Sequence, residues 1–65
     1  MTEREREILR LLADGLNNAA IAKELGIMPK TAAFHVASVL RKLEVESRGE
    51  AAAWLRRNFP EGTLD

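Results

Sequence analysis

The sequence of 65 residues predicts an all-α fold, a four-helix bundle. Apolar residues recur at spacings of three and four in four separate segments, and capping residues stand at the ends of these segments. No segment alternates apolar and polar residues in the manner of a β-strand. Because the connections are short, consecutive helices should be neighbours in space. The predicted helices cover residues 2–13, 18–25, 29–43 and 47–58.

Capping residues define the first two predicted helices. The Thr2 hydroxyl can accept a hydrogen bond from the Glu5 amide, while the Glu5 carboxylate reaches back to the Thr2 amide in a capping box. Gly15 is suited to the left-handed position that follows the end of the first helix. Asn17 is a plausible N-cap for the second helix, and Gly26 is its stop.

The second and third predicted helices meet across a short break, Gly26-Ile27-Met28. Pro29 suits the first turn of the next helix, because the amide hydrogen that proline lacks would have no partner there. Ala22 is small enough to let the two helices cross closely. A short helix, a glycine-containing turn and a second helix form a helix-turn-helix, in which the second helix can enter the DNA major groove.

The fourth predicted helix begins at Ser47, with Glu50 three residues later as a second capping box. It ends before Pro60, which cannot continue a helix. The predicted domain therefore covers residues 1–58, and residues 59–65 are expected to form a flexible tail.

The fourth helix also carries a candidate dimer surface. One side of this helix must pack on the core, and the other side could pair with a second copy of the chain across a two-fold axis. The alternative is that Trp54 only covers the small core. The candidate dimer residues are Ala51, Trp54 and Leu55.

The composition argues against several classes of function. The chain has no cysteine and one histidine, so neither a disulfide nor a zinc site built from protein ligands alone is expected. Its apolar runs are too short to span a bilayer. It has no glycine-rich phosphate loop and no recognisable acid–base pair for catalysis. The sequence therefore predicts a soluble, cytoplasmic, non-enzymatic domain with no cofactor and no metal.

The formal net charge is zero, but the charge is unevenly distributed. Residues 16–43, which contain the helix-turn-helix, carry four basic side chains and one acidic side chain, a net charge of +3. The segments before and after it are net acidic. A DNA-binding domain needs a basic face more than a basic total, so the distribution favours double-stranded DNA as a partner.

The apolar stripe of the third helix predicts which residues face solvent. Lys30 and Arg41 can bind phosphate or guanine there, and Thr31 and Ser38 can donate to phosphate oxygens. Asn18 opens the second helix, where the partial positive charge of a helix start can hold a phosphate. The candidate DNA-contacting residues are Asn18, Lys30, Thr31, Ala33, Phe34, His35, Ala37, Ser38 and Arg41.

Several of these residues have a second interpretation. Phe34 can meet a thymine methyl group or, if the helix is rotated, can cover the edge of the core. His35 can contact a phosphate or act as a half-buried spacer that donates to a carbonyl. Lys30 and Arg41 can be ordinary solvated charges.

Residues 2–57 closely resemble the LuxR-type (GerE-like) helix-turn-helix domain, the output module of many bacterial response regulators and quorum-sensing regulators. The matching segments are TEREREILRLLADGLNNAAIAKELGI, then KT, then HV, then LRKLEVESRGEA. The resemblance implies that the fourth helix mediates dimerisation on DNA and that a regulatory domain can precede this one. It also implies that Lys30, Thr31, His35 and Arg41 occupy polar positions at or near DNA, and that Arg48 and Glu50 occupy motif positions at the start of the fourth helix.

The departures from the family pattern lie mainly on the face expected to meet DNA. Family members often have lysine or another polar residue at three positions that are alanine here. Serine is common at the position of Met28, and glycine is usual at that of Glu44. Each lost phosphate contact would lower the salt dependence of binding by roughly 0.9 in slope. The departing residues are Ala19, Met28, Ala33, Phe34, Ala37 and Glu44.

The leading functional hypothesis is sequence-specific binding of double-stranded DNA for transcriptional regulation. Residues 29–43 would lie in the major groove, and the chain would bind a two-fold site as a homodimer. The alternative is a protein-interaction module that keeps the helix-turn-helix fold with weakened or lost DNA binding. The alanine-rich face, Phe34 and the zero net charge favour this alternative.

Overall fold

The computed structural model describes residues 1–60, and within them it contains four α-helices and no β-strand. The predicted all-α class is confirmed. Two helices have the predicted bounds, and the first and fourth begin one residue later, because Thr2 and Ser47 are their N-caps. In this part of the chain no helix is both long and apolar enough to cross a bilayer. The helices are α1 (Glu3–Ala13), α2 (Asn18–Leu25), α3 (Pro29–Leu43) and α4 (Arg48–Asn58).

The caps of α1 and α2 are those that the sequence predicts. The Glu5 amide donates to Thr2 Oγ1 at 3.1 Å, and the Thr2 amide donates to Glu5 Oε1 at 2.7 Å. Asn17 Oδ1 accepts a backbone N–H of the first turn of α2 at 2.9 Å. Gly15 and Gly26 follow the two helices with φ of 89° and 67°, in the left-handed region that glycine adopts without steric cost.

The starts of α3 and α4 differ in how they are capped. Ser47 Oγ accepts from the Glu50 amide at 3.2 Å, but the Glu50 carboxylate accepts from the Glu46 amide, one residue before the N-cap. The predicted second capping box is therefore only half formed. Met28 occupies the N-cap of α3 and provides no side-chain hydrogen bond, and Pro29 fills the first helical turn.

One apolar core joins the four helices. Ala22 and Ala32, on the two helices of the helix-turn-helix, are almost fully buried, which agrees with the close approach expected at Ala22. Half-buried side chains, among them Leu40 and Trp54, surround the core. The buried apolar residues are Ile8, Leu9, Leu12, Ile21, Ala22, Ala32, Val36, Val39, Ala51 and Leu55.

The structure corrects two expectations about α4. Ala51 and Leu55 lie in the core of the chain, so they offer little surface to a second copy, whereas Trp54 is half-buried. Phe59, which the sequence assigned to the flexible tail, packs against the core and against Trp54, with 6.1 Å between the ring centroids. Residues 61–65 of the expected tail lie outside the described residues.

Glu5 is the one buried charged residue among residues 1–60, with 6% of its surface exposed. Besides capping α1, its carboxylate receives hydrogen bonds from two side chains of α3. Lys42 Nζ lies 2.9 Å from Oε1, and Ser38 Oγ donates to Oε2 at 3.2 Å. A buried carboxylate is tolerated only when such donors replace water. Glu5 therefore holds the start of α1 against the second half of α3.

These donors lower the pKa of Glu5 from its ordinary value of 4.5 to about 2. The hydrogen bond from the Thr2 amide is the largest cause, followed by Lys42, while burial acts in the opposite direction. The hydroxyls of Thr2 and Ser38 add smaller contributions. The ionised form of Glu5 is thus strongly favoured in the folded chain.

Arg48 holds the start of α4 against the connection between α1 and α2. Its guanidinium donates to the Leu16 carbonyl at 3.0 Å and to the side-chain oxygen of Asn18. The resemblance placed Arg48 at a motif position, and in the structure this residue makes contacts within the chain.

Glu44 ends α3 in a conformation that is unfavourable for its side chain. Its φ of 58° and ψ of 42° lie in the left-handed region, and it is the only non-glycine residue with positive φ among residues 1–60. A Cβ in this region costs roughly 1–2 kcal/mol. The glutamate charge also lies at the negative end of the helix dipole. The glycine that the family usually has here avoids both costs.

We expect Glu44→Gly to raise the free energy of unfolding by about 1 kcal/mol, because glycine relieves the steric cost but adds entropy to the unfolded chain. For a domain of this size, this corresponds to an increase in Tm of roughly 4–8 °C in a thermal melt. Glu44→Ala separates the two causes, since alanine removes the charge and keeps the Cβ. If alanine raises Tm as much as glycine does, backbone strain is not the reason.

The depressed pKa of Glu5 predicts a pH dependence of stability. Because the folded pKa lies below the unfolded one, the contribution of Glu5 is complete above pH 4.5 and is lost as pH falls toward about 2. Glu5→Gln keeps the acceptor oxygen but removes the charge. We therefore expect urea melts to show a shallower loss of stability between pH 5 and pH 2 for this variant than for the native chain.

Glu7→Gln is the matched control for Glu5→Gln. Glu7 lies on the same helix, in a partly exposed pair with Arg4 at 3.8 Å, and such pairs contribute little to stability. This variant should keep the native pH dependence. Equal slopes for Glu5→Gln and the native chain would contradict the role assigned to Glu5.

Candidate nucleic-acid interface

One face of α3 is largely exposed and carries most of the residues that the sequence singled out. We call residues 30, 33, 34, 37 and 41 the outer strip of α3. Lys30, Phe34, Ala37 and Arg41 are exposed, and Ala33 is half-buried. Thr31 is exposed beside the start of this strip. The opposite face of α3 contributes Ala32, Val36 and Val39 to the core, so the orientation of the helix is the predicted one.

Phe34 is the most prominent side chain of the outer strip, with 69% of its surface exposed. This exposure rules out the alternative in which Phe34 covers the edge of the core. Its ring meets the edge of the His35 ring, with 5.9 Å between the centroids and 67° between the planes. His35 itself is half-buried. The half-burial agrees with the spacer interpretation, but no carbonyl of residues 1–60 accepts a hydrogen bond from the His35 ring, so both interpretations of His35 stay predictions.

The basic residues of α3 fall into two groups. Lys30 and Arg41 form no ion pair with an acidic residue of the described chain, so their charges face solvent. Lys42 follows Arg41 directly but turns to the other side of the helix, where it pairs with Glu5. The positive charge available on the outer strip therefore comes from Lys30 and Arg41.

Ser38 and Asn18 are not free in the way that the sequence predicted. Ser38 is half-buried and donates its hydroxyl to Glu5, although it was expected to face outward. The Asn18 side-chain oxygen accepts from Arg48. Both polar groups therefore serve contacts between helices, because each side chain lies where two helices approach.

The first turn of α3 has unused hydrogen-bonding capacity. Met28 supplies no acceptor, and 69% of its surface is exposed. The first-turn amides of Lys30 and Thr31 consequently lack a side-chain cap. Amides at a helix start carry partial positive charge and can bind an anion such as a phosphate. Together with the Lys30 ammonium and the Thr31 hydroxyl, this end of α3 suits the phosphate backbone of a nucleic acid.

Sequence reasoning missed the residues that hold the outer strip in place. The capping box identified Glu5 as a partner of Thr2 but gave no sign of its contacts with Ser38 and Lys42, which lie 33 and 37 residues away. A glutamate on the inner side of an amphipathic helix was the one available signal. Periodicity cannot name the partner of such a residue, because the partner lies on another helix.

Comparisons with known proteins agree with this geometry. Residues 1–55 match the family model described as GerE, bacterial regulatory proteins, luxR family. The chain is 46% identical over 57 residues to the nitrate/nitrite response regulator protein NarL of Escherichia coli K12. It is 45% identical over 58 residues to the transcriptional regulatory protein LiaR of Bacillus subtilis, and 47% identical over 51 residues to DesR of the same organism.

These alignments cover 88%, 89% and 78% of this chain, but only 26%, 28% and 26% of the relatives. The chain thus spans about a quarter of the length of the curated relatives that it matches. The family match, in contrast, includes all of α1, α2 and α3 and most of α4. The chain belongs to the LuxR family of bacterial regulatory proteins.

Proposed function

We propose that this chain binds double-stranded DNA sequence-specifically, with α3 in the major groove, and that this binding regulates transcription. The observation that carries the proposal is the outer strip of α3, which projects from the core and begins at an uncapped helix start. Family membership supports it, since LiaR and DesR are named transcriptional regulatory proteins. An upstream regulatory domain, which the resemblance implies, remains a prediction.

The polar residues of the interface receive distinct proposed roles. Lys30 and Arg41 bind phosphates on either side of the groove, and Thr31 donates to a phosphate near the helix start. Such contacts set the position of α3 but carry little sequence information. Ser38 and Asn18 contribute only indirectly, because their side chains hold α3 and α2 against neighbouring elements.

We further propose that two copies bind together on a two-fold site through α4. Since Ala51 and Leu55 are buried in the chain's own core, the contact surface centres on the half-buried Trp54. The small size of the domain supports dimerisation, because a chain of about 60 residues buries a limited core and a partner adds contact area. The two half-sites would lie about one DNA turn apart.

A protein-interaction module is the second candidate function, and one observation favours it. Phe34 is largely exposed between two alanine residues, and exposed apolar surface often marks a protein partner. Under this alternative the chain would bind random DNA weakly and without sequence preference. Selection from a pool of random duplexes at physiological salt would then enrich no site.

Arg41 faces solvent and Lys42 pairs with Glu5, so we expect different effects on DNA binding when each is replaced by alanine. With a duplex selected from the random pool, Arg41→Ala should weaken binding and lower the slope of log K against log salt by roughly 0.9, as expected for one lost phosphate contact. Lys42→Ala should leave this slope unchanged, because Lys42 is engaged by Glu5. Fluorescence anisotropy between 50 and 200 mM salt, about the range in which such contacts are measured, gives both slopes.

Two further results complete this test. Lys42→Ala should lower Tm, because it removes a partner of the buried Glu5 carboxylate, whereas Arg41→Ala should not. Identical salt slopes for the two variants would overturn the proposed orientation of α3 on DNA. Enrichment of no sequence at all from the pool would overturn the proposed function itself.

Trp54→Ala should convert the two-to-one protein–DNA complex on a two-fold site to a one-to-one complex, as measured by analytical ultracentrifugation. The physical reason is the loss of the largest apolar side chain on the proposed contact surface. Ile21→Ala is the control, because Ile21 is fully buried in the core on α2 and is not part of the proposed contact surface on α4. Both variants should lower Tm, but only Trp54→Ala should change the stoichiometry. An unchanged stoichiometry for Trp54→Ala would place the dimer contact elsewhere.

A further inference from the structure

We propose that the outer strip of α3 selects DNA by the C5-methyl group of thymine, with Phe34 as the residue that contacts it. The inference rests on the proposed DNA-binding function and names the chemical feature that the same site recognises. Three observations carry it: the apolar character of the strip's centre, the position of its two cations, and the exposure of Phe34.

The centre of the outer strip has no hydrogen-bonding side chain. Ala33, Phe34 and Ala37 occupy it, and all three are apolar. Base pairs are usually distinguished in the major groove by bidentate hydrogen bonds from arginine, asparagine or glutamine. These three residues cannot form such bonds. Discrimination at the centre of the strip must therefore use apolar contact or shape.

The two cations bracket this apolar centre. Lys30 and Arg41 are eleven residues apart, which is about 16 Å along the helix axis at 1.5 Å per residue. The major groove is about 12 Å wide, so the separation between the two cations is large enough to span it. With both cations at the phosphates that border the groove, the middle of the strip lies over the base edges. Charge complementarity thus places Phe34 inside the groove, while Lys30 and Arg41 bind the phosphates on its two sides.

Thymine presents the one apolar group on the major-groove edge of the four bases, its C5-methyl. Phe34 exposes 69% of its surface in the free chain, so contact with a methyl group removes apolar area of both partners from water. A guanine or cytosine at the same position would instead place its polar major-groove atoms against the Phe34 ring. These atoms would lose hydrogen bonds to water and gain none from the protein. Phe34 consequently favours a thymine and disfavours a G·C pair at one position of each half-site.

Substitution of thymine by deoxyuridine tests this inference, because deoxyuridine lacks only the methyl group and keeps every hydrogen-bonding atom. Each thymine of a site selected from random duplexes is replaced in turn, and binding of the native chain is measured. We expect one position per half-site to lose about fourfold in affinity, the fold-change that corresponds to ~0.8 kcal/mol for one buried carbon. The other replacements should have little effect.

The assignment to Phe34 is tested by a double-mutant cycle. In Phe34→Ala the sensitive position should become indifferent to deoxyuridine, because the methyl group no longer has a partner. Arg41→Ala is the matched control: it should weaken binding to both duplexes but keep the fourfold preference for thymine. Since Phe34 and Arg41 are both exposed, neither variant should alter the fold, which circular dichroism checks.

The outcomes separate this inference from the proposed function. If a site is enriched and no deoxyuridine replacement weakens binding, the chain is a DNA reader but methyl recognition is wrong. If the sensitive position keeps its preference in Phe34→Ala, the methyl group is read by a different residue and the assignment to Phe34 is overturned. If no site is enriched, the proposed function fails and the inference fails with it.

Discussion

The position of α3 depends on a buried carboxylate. Glu5 caps α1 through Thr2 and at the same time accepts hydrogen bonds from Ser38 and Lys42 on α3. A buried charge is stable only when its donors are in place, so this contact favours the placement of the two helices in which Ser38 and Lys42 reach the carboxylate. The core contains few large side chains, which increases the importance of such a directional contact.

Arg48 makes a second polar contact between separate elements of the fold. Its guanidinium joins the start of α4 to the Leu16 carbonyl and to Asn18, so it connects α4 with the segment that leads into the helix-turn-helix. The Glu5 contact thus joins α3 to α1, and the Arg48 contact joins α4 to α2 and to the connection that precedes it. The residues of the outer strip of α3 take no part in these polar contacts, so their side chains are available to bind a partner.

The departures from the family pattern have separable physical consequences. Glu44 introduces backbone strain at the end of α3, and Met28 leaves the start of α3 without a side-chain cap. The alanines and Phe34 change the surface instead of the fold. In the proposed complex these apolar side chains contact DNA at positions where a polar or charged side chain would form hydrogen bonds or ion pairs. Such a surface binds DNA with less electrostatic attraction, and a two-fold dimer would compensate by doubling the contacts.

The sequence by itself determined the helices, the N-cap residues of α1, α2 and α4, and the helix-turn-helix. These features depend on local spacing and on capping residues within one turn, so adjacent residues suffice to predict them. The Gly15 and Gly26 positions were predictable for the same reason, since a helix stop needs a left-handed residue at a defined place.

Only the tertiary structure decided which polar residues remain available at the surface. Arg41 and Lys42 are neighbours in sequence, yet about 100° of helical rotation sends one to solvent and the other to Glu5. Ser38 and Asn18 are held by partners some 30 residues away, and Leu55 and Phe59 complete the core from the far end of the chain. A single sequence carries no record of such distant partners, because they arise only when the four helices pack together.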